Sequence, residues 1–412
     1  MFQPPNVSTG TSMRVLHIIG SIDPAAGGPT EVIRMIIQFR PPGHEAEVAT
    51  LDHSGAPFLG AFPFRIHALG TEGASWYSPQ LIPWLRNNLD RFDGVIVHGL
   101  WEFTSLAVLM VVAGRKPFFV FPHGMLDPYF KRRYPLKHLK KWFYWVLVQY
   151  WVLRTASRVM FTTELERDLA TQSFWLWRWN PMVVSLGADP PGLQGDELIP
   201  ALYQRFPELA ATDERRRYLL FLSRIHPKKG CDLLLQAFAR AAPAHAELHL
   251  ILAGPDPTGM QPQLKRIAEQ SGVADRVHFP GMLQGEAKWA AFALCEAFVL
   301  PSHQENFGIA VAEALACARP VLISDQINIH PEIAADGCGL VEPDTLEGTL
   351  RLLQRWLALP LAERLAMGQR CKDTFARRYD IRSNSAIILR TFESLQAQSS
   401  KPRSPEANRE AN

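Results

Sequence analysis

The chain has 412 residues, 43 Lys+Arg against 40 Asp+Glu, 47 % hydrophobic residues and five cysteines. At about 100–200 residues per domain, that length accommodates two or three domains with full apolar cores, and the composition excludes a disordered, collagenous or disulfide-scaffold protein. The net charge of +3 conceals an uneven distribution: Pro128 to Thr163 carries eight Lys/Arg and no acid, leaving 35 basic against 40 acidic residues elsewhere, a balance of −5. Basicity confined to one segment points to an anionic surface rather than to general nucleic-acid affinity.

In chain order, the N-terminal MFQPPNVSTGTS lacks a basic stretch followed by an apolar run, so it does not read as a signal peptide, and residues 1–12 are expected to be disordered. RVLHII (Arg14–Ile19) is a β-rich run that ends in a loop containing Gly27 and Gly28. Pro29 then suits the first turn of a helix, TEVIRMIIQF. AEVATL and FRIHAL are further strand candidates, and GVIVHG (Gly94–Gly99) and FFVFPHG (Phe118–Gly124) are apolar runs of the kind that parallel sheets bury on both faces. The basic segment follows, with Lys131, Arg132, Arg133, Lys137, Lys140 and Lys141 preceding an aromatic-rich helix that begins at Trp142. Its most apolar window, Trp142 to Leu153, would span about 18 Å as a helix against a hydrocarbon core of roughly 30 Å, so no transmembrane helix is expected. Cations beside Trp, Tyr and Phe suit a headgroup interface at about 1 kcal/mol per Lys/Arg; the other reading is a core helix whose cations are solvated. The protein is expected to be cytoplasmic, touching an anionic membrane from that side.

RVMFTT and MVVSLG (Met182–Gly187) continue the alternation and close a first domain at 13–189. Residues 190–216, rich in Pro and Gly, read as a linker. The pattern restarts with RYLLFLS, LHLILAG, RVHFPG, AFVLPS and PVLIS, a second domain at 217–379, and the polar tail 396–412 is expected to be disordered. Repeated βα units imply two parallel, doubly wound α/β sheets, with ligands beyond the carboxyl ends of the strands in a cleft between them. The cysteines (Cys231, Cys295, Cys317, Cys338, Cys371) are odd in number and never in CxxC spacing, which favours reduced thiols over disulfides or zinc.

Two stretches carry the chemistry. After AFVLPS the chain reads HQENFGIAVAEALACARP, with Glu305 in the loop, Gly308 near a helix start and Glu313 one to two turns inside it. Helix N-terminal N–H groups favour anions, and two carboxylates flanking them suit a ligand with both hydroxyls and phosphates; two surface glutamates on a solvated helix are the bland alternative. After RYLLFLS comes SRIHPKKG, where Arg224 as a fork and Lys229 as a point charge can clamp a diphosphate, unless both are ordinary surface cations. His123 also follows a strand and points to the same cleft, although a lone histidine there is more often structural. No D-x-D pair and no metal-spaced His/Cys cluster occurs, so no metal is expected and protein cations must offset the diphosphate.

Taken in order, GG at 27–28, HGML at 123–126, SLGAD at 185–189, SRIHPKKG, LILAGPD, RVHFPG and the E-x7-E pair resemble the retaining GT-B glycosyltransferases of family GT4 over roughly Met13 to Leu395. The resemblance implies two Rossmann-like domains facing each other across a donor/acceptor cleft, with a final helix at 380–395 returning to the first domain. It assigns Arg224 and Lys229 to the donor diphosphate, Glu313 to the ribose, and Glu305 with the backbone N–H groups of Asn306, Phe307, Gly308 and Ile309 to the transferred sugar. His123 would lie near the reacting centre, Gly28 in the loop over the phosphates and Met282 against the base. The sequence departs from the family at Ser185-Leu186, where Pro-Asn is frequent, and at Ala318-Arg319-Pro320, where Gly-Pro is common. It also lacks Gly-Gly before Pro331-Glu332, beside the sugar pocket. The implied activity is a retaining, metal-independent hexosyltransferase acting from a nucleoside-diphosphate sugar on an acceptor hydroxyl, a lipid-linked glycan of cell-surface polysaccharide biosynthesis, with no further cofactor. A sugar-nucleotide 2-epimerase and a non-catalytic, membrane-associated nucleotide-binding scaffold are the competing readings.

Overall fold

The computed structural model describes residues 12–24, 28–72, 77–190, 195–210 and 216–400. The expectations for residues 1–11, for Gly27 and for residues 401–412 lie outside the described residues. The chain divides into two compact units, one of Met1–Val184 with Ile381–Asn412 and one of Ser185–Asp380.

The first unit holds the strands β1 (Arg14–Ile19), β2 (Glu45–His53), β3 (Arg65–Gly70), β4 (Gly94–His98), β5 (Phe118–Phe121), β6 (Arg158–Phe161) and β7 (Pro181–Val183). They form one parallel sheet in the order β3-β2-β1-β4-β5-β6-β7. The central strands are buried along their length because helices cover both faces, which is why GVIVH and FFVF contain almost no polar residue. One cover is the C-terminal helix Ile381–Ser400. Its Phe392 stacks on Phe119 with ring centroids 3.7 Å apart and fills the space a side chain at Gly94 would need. This helix runs through residues 396–400, which the sequence reading places in the disordered tail. The polar composition there marks a solvent-facing helix end rather than its absence.

The aromatic segment is also more broken than expected. It forms helices Pro128–Arg133 and Pro135–Tyr144, a π-helical turn Trp145–Gln149, and helix Tyr150–Thr155. Pro135 interrupts the first pair, since it has no N–H to continue a helix. The cations therefore lie on the first two helices rather than ahead of them.

The second unit contains β8 (Arg217–Leu222), β9 (Leu248–Ala253), β10 (Val277–Gly281), β11 (Ala297–Leu300), β12 (Val321–Ser324) and β13 (Gly339–Glu342). Their order is β10-β9-β8-β11-β12-β13, again all parallel. The segment 190–216 is not the plain linker that its composition suggests. It contains helix Gly195–Arg205, which packs on helix Gly285–Leu294 and buries Leu198 and Leu202, with Pro200 inside it.

Candidate functional site

In the second unit, the loops that follow β8 and β11 meet at the carboxyl edge of the sheet. Pro227–Lys229 form a single 3-10 turn, and Gly230 follows with φ +67°, where a Cβ would stand 2.2 Å from the Pro301 carbonyl oxygen. Only glycine lets the two loops approach this closely. The Lys228 carbonyl accepts from the His303 N–H at 2.9 Å and the Ser302 hydroxyl at 3.0 Å, which fixes one loop to the other.

That closure buries Lys229, which is 8 % exposed, and forms an ion pair between its Nζ and Glu305 Oε2. Arg224 lies exposed on the same loop. His226, between these cations, is held below the usual imidazole range by desolvation and by Arg224, Lys228 and Lys229. Glu305 is anchored through its backbone: its N–H donates to the Gln326 carbonyl at 3.0 Å and its carbonyl accepts from Asn328 N–H at 3.1 Å. Asn306 Oδ1 faces Asn328 Nδ2 at 3.3 Å. Phe307 is buried edge-on against Tyr379, so its ring packs the core and only its backbone is left for a ligand. Gly308 (φ +79°) then turns the chain into helix Ile309–Ala316; the Val311 N–H donates to the Gly308 carbonyl at 2.8 Å, while those of Ile309 and Ala310 have no partner within the helix. Glu313, on the second turn and 8 % exposed, pairs with Lys288 at 2.6 Å. Met282, in the loop after β10, is 53 % exposed.

The same helix closes with a Schellman pattern. The N–H of Ala318 donates to the Leu315 carbonyl at 3.0 Å and that of Arg319 to the Ala314 carbonyl at 2.9 Å. This requires a left-handed residue, and Ala318 supplies it at φ +58° where glycine is the usual occupant.

In the first unit, His123 follows β5 with φ +50° and is followed by Gly124 at φ +73°. The Gly124 N–H donates to Glu166 Oε1 at 2.8 Å, while the other oxygen of that buried carboxylate accepts from the Thr162 N–H and hydroxyl. His123 does not stand alone. His17 of β1, His98 of β4 and His123 form a stack: His17 Nδ1 lies 2.9 Å from His98 Nε2, and His98 Nδ1 lies 3.0 Å from His123 Nε2. Burial pushes His17 and His123 down to about 3 and holds His98 well below its ordinary range, so all three rings are neutral. A neutral imidazole donates through one nitrogen and accepts through the other. The tautomer of His98 therefore decides whether the remaining nitrogen of His123 carries a proton. Nearby Glu102 has its carboxyl raised by burial, despite an N–H from Gly20.

Gly28 opens helix Gly28–Gln38, and a Cβ there would meet nothing within 4 Å. Lys131, Arg132, Arg133, Lys137 and Lys140 are exposed on the basic helices. Lys141 and Trp142 turn inward instead: Lys141 lies 4.7 Å from the Trp101 ring centre with its pKa lowered by desolvation, and Trp142 packs on Phe174. The structure thus gathers Arg224, Lys229, Glu305 to Ile309 and Glu313 on one sheet edge of the second unit, and places His123 with the basic segment in the first. His17, His98, Glu166 and Lys288 escape the sequence pattern. The one available signal was that LHII, VIVHG and FPHG each place a histidine in or after a buried strand. Among the described residues, no group of three or more His, Cys, Asp or Glu side chains is placed to hold a metal ion.

Two families match the chain: Glycosyl transferase 4-like domain over residues 27–187 and Glycosyl transferases group 1 over residues 204–374. A D-inositol 3-phosphate glycosyltransferase of Geodermatophilus obscurus is 33 % identical over 141 residues, covering 32 % of this chain and 31 % of its own length. The enzyme of the same name from Gordonia bronchialis is 29 % identical over 238 residues, covering 54 % and 49 %. The matches therefore span about a third to a half of these relatives. Anabaena HepE, solved in complex with UDP-glucose, has a TM-score of 0.72 at 17 % identity, covering 93 % of this chain and 100 % of its own, a likeness of fold. With both of its sheets accounted for by these matches, the chain belongs to the group 1 glycosyl transferases, the GT4 family, and has the GT-B fold.

Proposed function

We propose that this protein transfers a sugar from a nucleoside-diphosphate sugar to an acceptor hydroxyl with retention at the anomeric carbon. The observation that carries this reading is the Lys229–Glu305 pair beside the start of helix Ile309–Ala316, with Glu313 one turn further on. Arg224 and Lys229 offset the negative charge that builds on the β-phosphate as the glycosidic C–O bond breaks, an effect that lowers the barrier because the charge is largest in the transition state. Glu313 takes the ribose hydroxyls, while Glu305 and the backbone at Asn306–Ile309 hold the sugar. No enzymic nucleophile is assigned: the acceptor oxygen attacks the face the diphosphate leaves, and its proton passes to the departing phosphate oxygen. HepE was solved with UDP-glucose, which supports UDP as the carrier.

The acceptor side is assigned to the first unit, with a lipid-linked glycan as substrate. Leu136, Leu139, Phe143 and Leu147 are 78, 60, 73 and 72 % exposed and recur at helical spacing, and Trp175 is 82 % exposed. An apolar stripe edged by Arg133, Lys137 and Lys140 fits an anionic bilayer surface better than water. None of the described helices is long and apolar enough to cross a membrane.

Purified protein given UDP- and GDP-sugars with a polyprenyl-diphosphate-linked acceptor should release nucleoside diphosphate only when the acceptor is present. Lys229→Ala should lower kcat/KM by about 10²-fold or more. Conversion of the nucleotide sugar without acceptor would identify an epimerase, and binding without turnover a scaffold. Co-sedimentation with anionic liposomes should fall at least about tenfold when Arg133, Lys137 and Lys140 become Glu, at about 1 kcal/mol per reversed contact; unchanged pelleting would assign the stripe to another role.

A further inference from the structure

The second unit contains a cavity of about 710 Å³ at the opposite edge of its sheet from the donor loops. Its floor is made by residues that precede the strands, Glu296 before β11 and Pro320 before β12, and its walls include helix Leu361–Thr374 and the Ala316–Arg319 turn. Ligand sites of this size are ordinary for small molecules.

The charges of the lining do not balance. Among the described residues Glu296 is the only acid of the lining, and that carboxylate is fully engaged: Arg217 Nε and Nη2 donate to it at 2.8 Å each, Trp356 Nε1 at 2.7 Å and Arg364 Nη1 at 3.3 Å. Arg319 and Lys372 also line the cavity, and neither has an ion-pair partner among the described residues. The Nε atoms of Arg319 and of Arg364 are shielded from solvent with no hydrogen-bond acceptor. With three cations facing one acid, the described residues of the lining carry an excess of about two positive charges. A guanidinium Nε that is shielded from water and has no acceptor is uncommon in folded proteins. Beside them the lining is apolar: Leu361 and Leu365 are 64 and 66 % exposed, and Trp289 adds a broad ring.

We infer that this cavity binds a phosphorylated organic anion, with its phosphate among Arg319, Arg364 and Lys372 and its organic body against Trp289, Leu361 and Leu365. A phosphate monoester carries about −1.5 to −2 charges at neutral pH, which matches the excess of the lining, and guanidinium forks suit phosphate oxygens. The apolar wall discriminates against the inorganic ion. This assignment does not rest on the donor site or on glycosyl transfer, because it concerns the other end of the sheet.

The chain carries its own probe. Cys317 lines the cavity and is partly exposed, whereas Cys231, Cys295, Cys338 and Cys371 are buried. Burial pushes the Cys317 thiol up to about 11, so alkylation by iodoacetamide at mildly alkaline pH should be slow enough to follow by peptide mass spectrometry. Phenyl phosphate, a nucleoside monophosphate and a hexose phosphate serve as test compounds, with inorganic phosphate and phenol as controls. At least one organic phosphate should slow Cys317 alkylation by about tenfold at millimolar concentration. That protection should disappear in Arg319→Gln and in Lys372→Glu, the second a change at an exposed position that leaves the core intact. The assignment is overturned if no organic phosphate protects, if protection survives both substitutions, or if inorganic phosphate protects equally well. The readout needs no turnover, so it stands or falls separately from the transferase reading.

Discussion

Lys229 and Glu305 neutralise each other within a largely buried pair, and a diphosphate that takes Lys229 must compete with that carboxylate. Glu305→Gln removes both the competitor and a negative charge next to the incoming phosphates. UDP should therefore bind about five- to tenfold more tightly in calorimetry, while sugar transfer falls at least about 10²-fold. Weaker or unchanged UDP binding would show that Glu305 does not hold Lys229 back. The histidine stack has a separate signature. His17 and His98 are buried and neutral in the folded chain, whereas both take up protons near pH 6.5 once unfolded. Below that pH the unfolded chain binds more protons, so the stability present above pH 6.5 is lost as the pH falls, for His17 until about pH 3. Each histidine contributes a slope of about 1.4 kcal/mol per pH unit while it is protonated only in the unfolded chain. Urea midpoints between pH 7 and 5 should drop steeply in the native sequence and less steeply in His17→Gln; an equal slope would place the acid sensitivity elsewhere.

Helix Ile309–Ala316 follows the loop proposed to hold the donor and ends on a residue its backbone disfavours. Ala318 occupies the left-handed position of a complete Schellman pattern, and that conformation costs an L-residue roughly 1–2 kcal/mol, partly offset by the greater chain entropy of a glycine there. Ala318→Gly should thus stabilise the second unit by up to about 1 kcal/mol, read as a rise in Tm; a fall would mean that the methyl group packs usefully against the Arg319 turn. The strands were legible as elements because parallel sheets bury both faces, leaving uninterrupted apolar runs such as FFVF and AFVL. β13 was not, since only Leu340 of GLVE is buried. Helix Gly195–Arg205 was hidden by Gly195 and Pro200, which read locally as loop although Leu198 and Leu202 dock it. The two loops proposed to hold the donor are legible as loops because each is contiguous in sequence. The histidine stack was not: its members are 81 and 25 positions apart and meet only through the register of β1, β4 and β5.

For the whole molecule, the restart of the strand pattern at RYLLFLS announces two units, but not which residues complete each one. The first unit is assembled from both ends of the chain. Phe392, near the carboxyl terminus, is fully buried, lies flat on Phe119 and occupies the space beside Gly94, so β4 and β5 lack a cover until that helix arrives. The second unit, Ser185–Asp380, is contiguous and needs nothing made after it. During synthesis the usual order is therefore inverted. At about 5–20 residues per second, the roughly 200 residues of the second unit take about 10–40 s to be made. For that interval the earlier-made sheet waits on the ribosome with its Phe119 face open, whereas the second unit has every residue it requires as soon as Asp380 is made. The nascent first unit is then the vulnerable species, and its last helix acts as the closing step of biogenesis rather than as a tail.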